Sequence, residues 1–227
     1  EDPVLSCYET LVWSVIGIFL LSLNYFVQNK ILLRGINNQK ELLKGNVCVG
    51  ITEAGAFVAT SLNVRAVVSG PGGGFLDNVL STAIFFVCGQ VCMVLFAILF
   101  QIITPYDDLK LAKQGNVASG IRFASNLVAL SLLTSTPLKK SDEVATFFVF
   151  FLLSSLFLVG FGQLLDRLVL PGKMNKEVEE DENWGLALVS GAMLVVTAFM
   201  LDTLLPEIPC PGSDAYDAYI QFYNTLK

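Results

Sequence analysis

Residues 78–106, NVLSTAIFFVCGQVCMVLFAILFQIITPY, run for 29 positions between Asp77 and Asp107 without one charge. A helix rises about 1.5 Å per residue and a bilayer core is about 30 Å thick, so roughly 20 apolar residues suffice to cross it. The same test applied outward finds charge-free gaps at 10–29, 144–165 and 183–201. Two more apolar segments are each interrupted once, 45–64 by Glu53 and 114–138 by Arg122. The spacing predicts six transmembrane helices, near 9–33, 46–68, 76–104, 115–136, 143–170 and 183–205. Continuous apolar runs exclude the alternating pattern of a membrane β-barrel. The fold class is all-α and polytopic.

Composition agrees. Of 227 residues 54% are hydrophobic and 15% charged, with no histidine and a net charge of −6; mean hydropathy is +0.64. A soluble core needs far more polar cover. The acidic balance argues against nucleic acid as a partner. The missing histidine takes away the commonest general base and metal ligand, so neither enzyme chemistry nor a metal site is expected.

Lysine and arginine set the orientation. An even number of spans puts both termini on one face. Nine cations (Lys30, Arg34, Lys40, Lys44, Lys110, Lys113, Arg167, Lys173 and Lys176) fall on the opposite face, against Arg65, Lys139, Lys140 and Lys227 on the terminal face. The positive-inside rule makes the nine-cation face cytoplasmic, stromal or matrix, and the termini lumenal or periplasmic. A chain opening at Glu1 rather than Met reads as a mature product with its presequence removed. Cys7 and Cys210 both fall outside the spans on the terminal face, where a disulfide between them would tie the tails; two free thiols is the alternative.

One phrase recurs three times. Lys44-Gly45-Asn46-Val47-Cys48-Val49-Gly50-Ile51 matches Gln114-Gly115-Asn116-Val117-Ala118-Ser119-Gly120-Ile121, and a decayed copy runs Glu182-Asn183-Trp184-Gly185-Leu186-Ala187-Leu188. The asparagines stand 70 and 67 residues apart, one helical hairpin each, and each opens an even-numbered span. Residues 1–206 are thus three tandem hairpins (about 9–68, 76–136 and 143–205), followed by a lumenal or periplasmic tail, 207–227. Tyr216, Tyr219, Ile220 and Tyr223 in that tail have the spacing of a short amphipathic helix. Twelve of the 17 phenylalanines lie in odd spans. Even spans carry small residues four apart, Gly50/Ala54, Gly55/Ala59, Gly120/Ala124 and Ala187/Gly191, which let helix backbones approach closely. Even helices are therefore expected inside and odd ones outside, facing lipid or partners.

On these residues, Gly45-Asn46-Val47 with Gly50 and Gly115-Asn116-Val117-Ala118 with Gly120, the chain resembles the membrane family called domain of unknown function 350, or uncharacterised protein family 0719, over about residues 10–206. The resemblance implies a small bacterial-type integral membrane protein with members in plastid-bearing eukaryotes. It brings no catalytic residue with it.

Charges inside spans need partners. Glu53 and Arg122 lie seven and six residues past their asparagines, and an ion pair between them is expected; Arg65 and Asp202, both nineteen past, form a second candidate pair. Asn46, Asn116 and Asn183 read as helix N-caps, or alternatively as a polar ring. The favoured function is a non-catalytic structural or assembly subunit of a larger membrane complex, such as a photosynthetic supercomplex in the plastid thylakoid. The alternative is a small-ion or solute transporter using Glu53 and Arg122. For either function the resemblance and the missing presequence favour the thylakoid membrane over a bacterial or mitochondrial inner membrane. No cofactor is fixed by these residues. Bound lipid or carotenoid would suit the Phe-lined grooves, and chlorophyll would need ligation without histidine.

Overall fold

Each even-numbered span begins after a short helix and one residue in a left-handed backbone, a glycine before the first two such spans and Glu182, at φ +48°, before the third. Gly45 and Gly115 have φ of +82° and +83°, a region L side chains rarely enter, so the chain can turn sharply into Asn46 and Asn116. The computed structural model describes residues 3–69, 74–140, 144–168, 174–204 and residue 221. The described elements are α1 (Pro3–Val27), continued by a π turn (Gln28–Leu32), α2 (Asn38–Leu43), α3 (Val47–Val68), α4 (Phe75–Ile103), α5 (Asp108–Gln114), α6 (Val117–Lys140), α7 (Val144–Leu168), α8 (Met174–Glu179) and α9 (Trp184–Leu204). No strand occurs among the described residues. Six of the helices are long and apolar enough to cross a membrane.

Short helices α2, α5 and α8 occupy the polar approaches to the even spans. Asn37 and Asp107 start the first two, each accepting from the backbone N–H three residues on at 3.0 Å. These pieces are six or seven residues long, too short to stand alone, and are held by docking onto the span that follows.

Helix α6 is the axis of the bundle. Its most apolar stretch is 72% buried, against 11% for α1. α3 and α9 pack along α6 more extensively than any other pair of helices packs. The close approach depends on missing side chains. A Cβ on Gly55 would stand 2.4 Å from the Ala124 Cβ, one on Gly120 2.9 Å from the Cys48 carbonyl oxygen, and one on Gly191 2.3 Å from the Ser125 Oγ. Around the axis, Phe96, Phe100, Phe123, Leu127, Leu130 and Leu158 form the main apolar core.

Two expectations about the packing change. The even helices do not make a closed inner cluster: α3 and α9 each pack on α6 without an interface between them. The odd helix α4, at 50% buried, is also more enclosed than the even α9, at 28%. In addition, α6 does not stop at 136 but continues through Pro137 to Lys140. Leu138 is buried beside Phe85 and Phe147, and Lys139 reaches Asp202; these contacts offset the lost backbone hydrogen bond of a proline in the last turn.

Cys210 and the tail helix around Tyr216–Tyr223 lie outside the described residues, so the Cys7–Cys210 pairing does as well. Cys7 itself is exposed near the start of α1.

A candidate ligand pocket between α4, α6 and α7

The three asparagines accept at the helix starts. Asn46 Oδ1 takes the Val49 N–H at 3.2 Å, Asn116 Oδ1 the Ser119 N–H at 3.0 Å and Asn183 Oδ1 the Leu186 N–H at 3.1 Å. Their amide groups do something further. Asn46 Nδ2 donates to the Ala112 carbonyl at 2.8 Å, and Asn116 Nδ2 to the Val178 carbonyl at 2.7 Å. Each thereby stitches its own span to the short helix of the next repeat. Asn183 Nδ2 turns back to Glu177 Oε2 at 2.9 Å. With oxygen and nitrogen both engaged, the three side chains do not form an open polar ring.

Neither predicted ion pair forms. Arg122 Nη2 instead meets Asp166 Oδ2 of α7 at 2.7 Å. Glu53 Oε1 accepts from Asn38 Nδ2 of α2 at 2.6 Å, buried. Positions seven and six past the asparagine share a depth but differ by about 100° around the helix, which sends the two side chains to different neighbours. Asp202 is likewise taken by α6, through the Thr136 hydroxyl and Lys139 Nζ at 3.0 Å. Arg65 lies exposed on α3, and α6 stands between the two.

Asp166, the first charge past the 144–165 gap, is the partner that sequence reasoning missed, because a residue at a span boundary reads as solvent-facing. Asp108 was missed as well. It lies eight residues before Asn116, as Asn38 lies eight before Asn46, and both turn onto the even helix that follows. Asp108 Oδ1 accepts from Ser119 at 3.1 Å and Oδ2 from Thr104 at 3.1 Å. Burial pushes the Asp108 carboxyl up to about 6, with the Ser119 and Thr104 hydroxyls pulling the other way. The folded protein therefore holds this proton where an unfolded chain releases it. That contribution favours folding at pH 4 and declines as pH rises through about 6. Asp108→Asn, which can keep an acceptor toward Ser119 and offer a donor to Thr104, is expected to flatten the slope and to add up to about 2 kcal/mol at pH 7. Thermal unfolding of both forms between pH 4 and 7 checks this; parallel curves would contradict it.

Arg122 and Asp166 stand on the wall of a cavity of about 590 Å³. Phe100, Leu158 and Leu194 line it with apolar surface, and Asn126, Gln163, Ser190 and Arg167 add polar groups. The side chains of Arg122 and Asp166 are 12% and 20% exposed. Arg122 Nη1 is buried without a hydrogen-bond partner among the described residues. Asn126, on the same wall, donates through its amide nitrogen to the Arg122 carbonyl at 2.8 Å. Two guanidinium groups against one carboxylate leave the wall with a net positive charge. An unpaired N–H beside an apolar recess fits a ligand with an anionic head and a hydrocarbon body. Glu53 is not part of this cavity.

Comparison with known proteins adds one match. The family model described as Domain of Unknown Function (DUF350) covers residues 4–68 and 74–205. No curated protein and no solved structure matches the chain.

Proposed function

The chain belongs to the DUF350 family, and from that premise we propose that it is a non-catalytic membrane protein that holds a single anionic amphiphile in the cavity between α4, α6 and α7. One observation carries this reading: Arg122 neutralises Asp166 with one nitrogen and keeps the other buried and unpaired beside apolar surface. In low dielectric such a donor gains strongly from an anionic acceptor. A phospholipid or a free fatty acid would both satisfy it. Titrating the purified chain in detergent with dioctanoyl phosphatidylglycerol, dioctanoyl phosphatidylcholine and octanoate separates the sources. One tight site for an anionic probe is expected, weakened about tenfold (about 1.4 kcal/mol) by Arg122→Gln. Equal affinity for the zwitterionic lipid would overturn the proposal.

Service as a subunit of a larger membrane complex is a second reading. It is favoured by α1, which exposes Leu11, Val15, Ile18 and Phe26 along most of its length and so offers a whole span to a neighbour. Its compartment would be the plastid thylakoid, and co-migration with a photosynthetic complex on native gels would support it. A small-ion or solute transporter is the alternative, with Arg122 on the cavity wall and Glu53 outside that cavity.

A further inference from the structure

The two inner interfaces are copies of each other in register. Gly55, nine residues past Asn46, meets Ala124, eight past Asn116; Ser125, nine past Asn116, meets Gly191, eight past Asn183. The start of each interface repeats too: Cys48, two past its asparagine, lies against Gly120, four past, and the equivalent Ala118 and Ala187 are buried in one cluster. Every even helix therefore has a front face that takes the preceding helix and a back face that takes the next. α6 uses both. Among the described residues no even helix packs on the front of α3, where only Leu42 of α2 reaches Gly50, or on the back of α9.

Those two leftover faces are open. Ala54, Val58 and Ser61 on α3 are exposed, as are Ala192, Val196 and Met200 on α9. Ala54 is eight past Asn46 and Ala192 nine past Asn183, the same register as Gly55–Ala124 and Ser125–Gly191. The amide stitch shows the same interruption. Asn46 and Asn116 each donate to a carbonyl of the next short helix, Asn46 also reaching Glu41 of its own, whereas among the described residues Asn183 donates to its own Glu177 alone. The carbonyl that would continue the series is that of Leu42, which accepts from Gly45 N–H as Ala112 does from Gly115 N–H.

We infer that the back of α9 is an interaction surface for the front of α3 in a second copy of this chain, joined head to tail as a continuation of the internal repeat. Such contacts are heterologous: each copy uses two different faces, and the assembly grows into a ring or a row rather than a two-fold dimer. Small residues on both sides permit the close backbone approach that drives helix association in lipid.

Cysteine cross-linking in membranes tests it. Full-length Ala54→Cys and Ala192→Cys chains, co-expressed with different tags, are expected to form a hetero-tag disulfide at least fivefold above an Ala54→Cys/Val149→Cys pair, which shares the native cysteines and places the second thiol on exposed α7 surface. The doubly substituted chain should give a ladder of multimers. Ala54→Trp should reduce the assembly to monomers that keep the wild-type helical circular dichroism. Cross-linking no stronger than the Val149 control, dominant Ala54–Ala54 disulfides, or a wild-type chain that is monomeric in nanodiscs would each overturn the inference.

Discussion

Alanine at Gly55 is expected to lower stability by about 3 kcal/mol, a large effect for the addition of one methyl group. The new Cβ would sit 2.4 Å from the Ala124 Cβ and 2.8 Å from its Cα. Neither atom can rotate away, so relief requires α3 and α6 to separate along the interface on which the bundle is built. Overpacking in a tight core costs about 1–3 kcal/mol, and a clash with backbone belongs at the upper end. Gly17→Ala is the control. It also lies in a membrane-spanning helix, yet a Cβ there meets nothing within 4 Å, so alanine's better helix propensity should leave it neutral or up to about 1 kcal/mol more stable. Unfolding followed by circular dichroism distinguishes the two. Equal responses would show that helix propensity, not close approach, sets the cost.

Removing Arg122 should be comparably damaging. Arg122→Leu leaves Asp166 as a largely buried carboxylate without its cation, and breaking one side of such a pair costs about 2–4 kcal/mol. Asp166→Leu leaves the guanidinium in the same position. With both replaced, the loss should be about 1–3 kcal/mol smaller than the sum of the single losses, the signature of direct contact. Glu53 supplies the contrast. Glu53→Gln keeps a carbonyl oxygen to accept from Asn38, so it should cost under about 1 kcal/mol, and its effect should add to that of Arg122→Leu. Coupling between Glu53 and Arg122, with none between Arg122 and Asp166, would contradict the geometry.

The six spans and the close approaches at Gly55, Gly120 and Gly191 were legible in the chain because lipid imposes a simple rule on charge, and because repetition put Asn46, Asn116 and Asn183 at equal places. The family was legible for the same reason. Partner choice was not. Depth along a helix can be counted from sequence, but the direction of a side chain depends on how neighbouring helices are rotated, and one residue of offset separated Glu53 from Arg122. Asp166 and Asp108 were hidden by their positions at span ends, where a charge needs no special account until the fold buries it. The asymmetric roles of the three even helices were also hidden. Equal sequence repeats suggest equal environments, yet the middle copy has neighbours on both sides and the outer two do not.

The most direct measurement is native mass spectrometry of the chain extracted from its own membrane, wild type beside Arg122→Gln, with circular dichroism to show that both are folded. Occupancy of the α4–α6–α7 cavity predicts one co-purifying anionic amphiphile per wild-type chain and its loss from the variant. Identical adducts on both proteins, or a wild-type chain that carries none and binds no anionic lipid when it is added back, would contradict it.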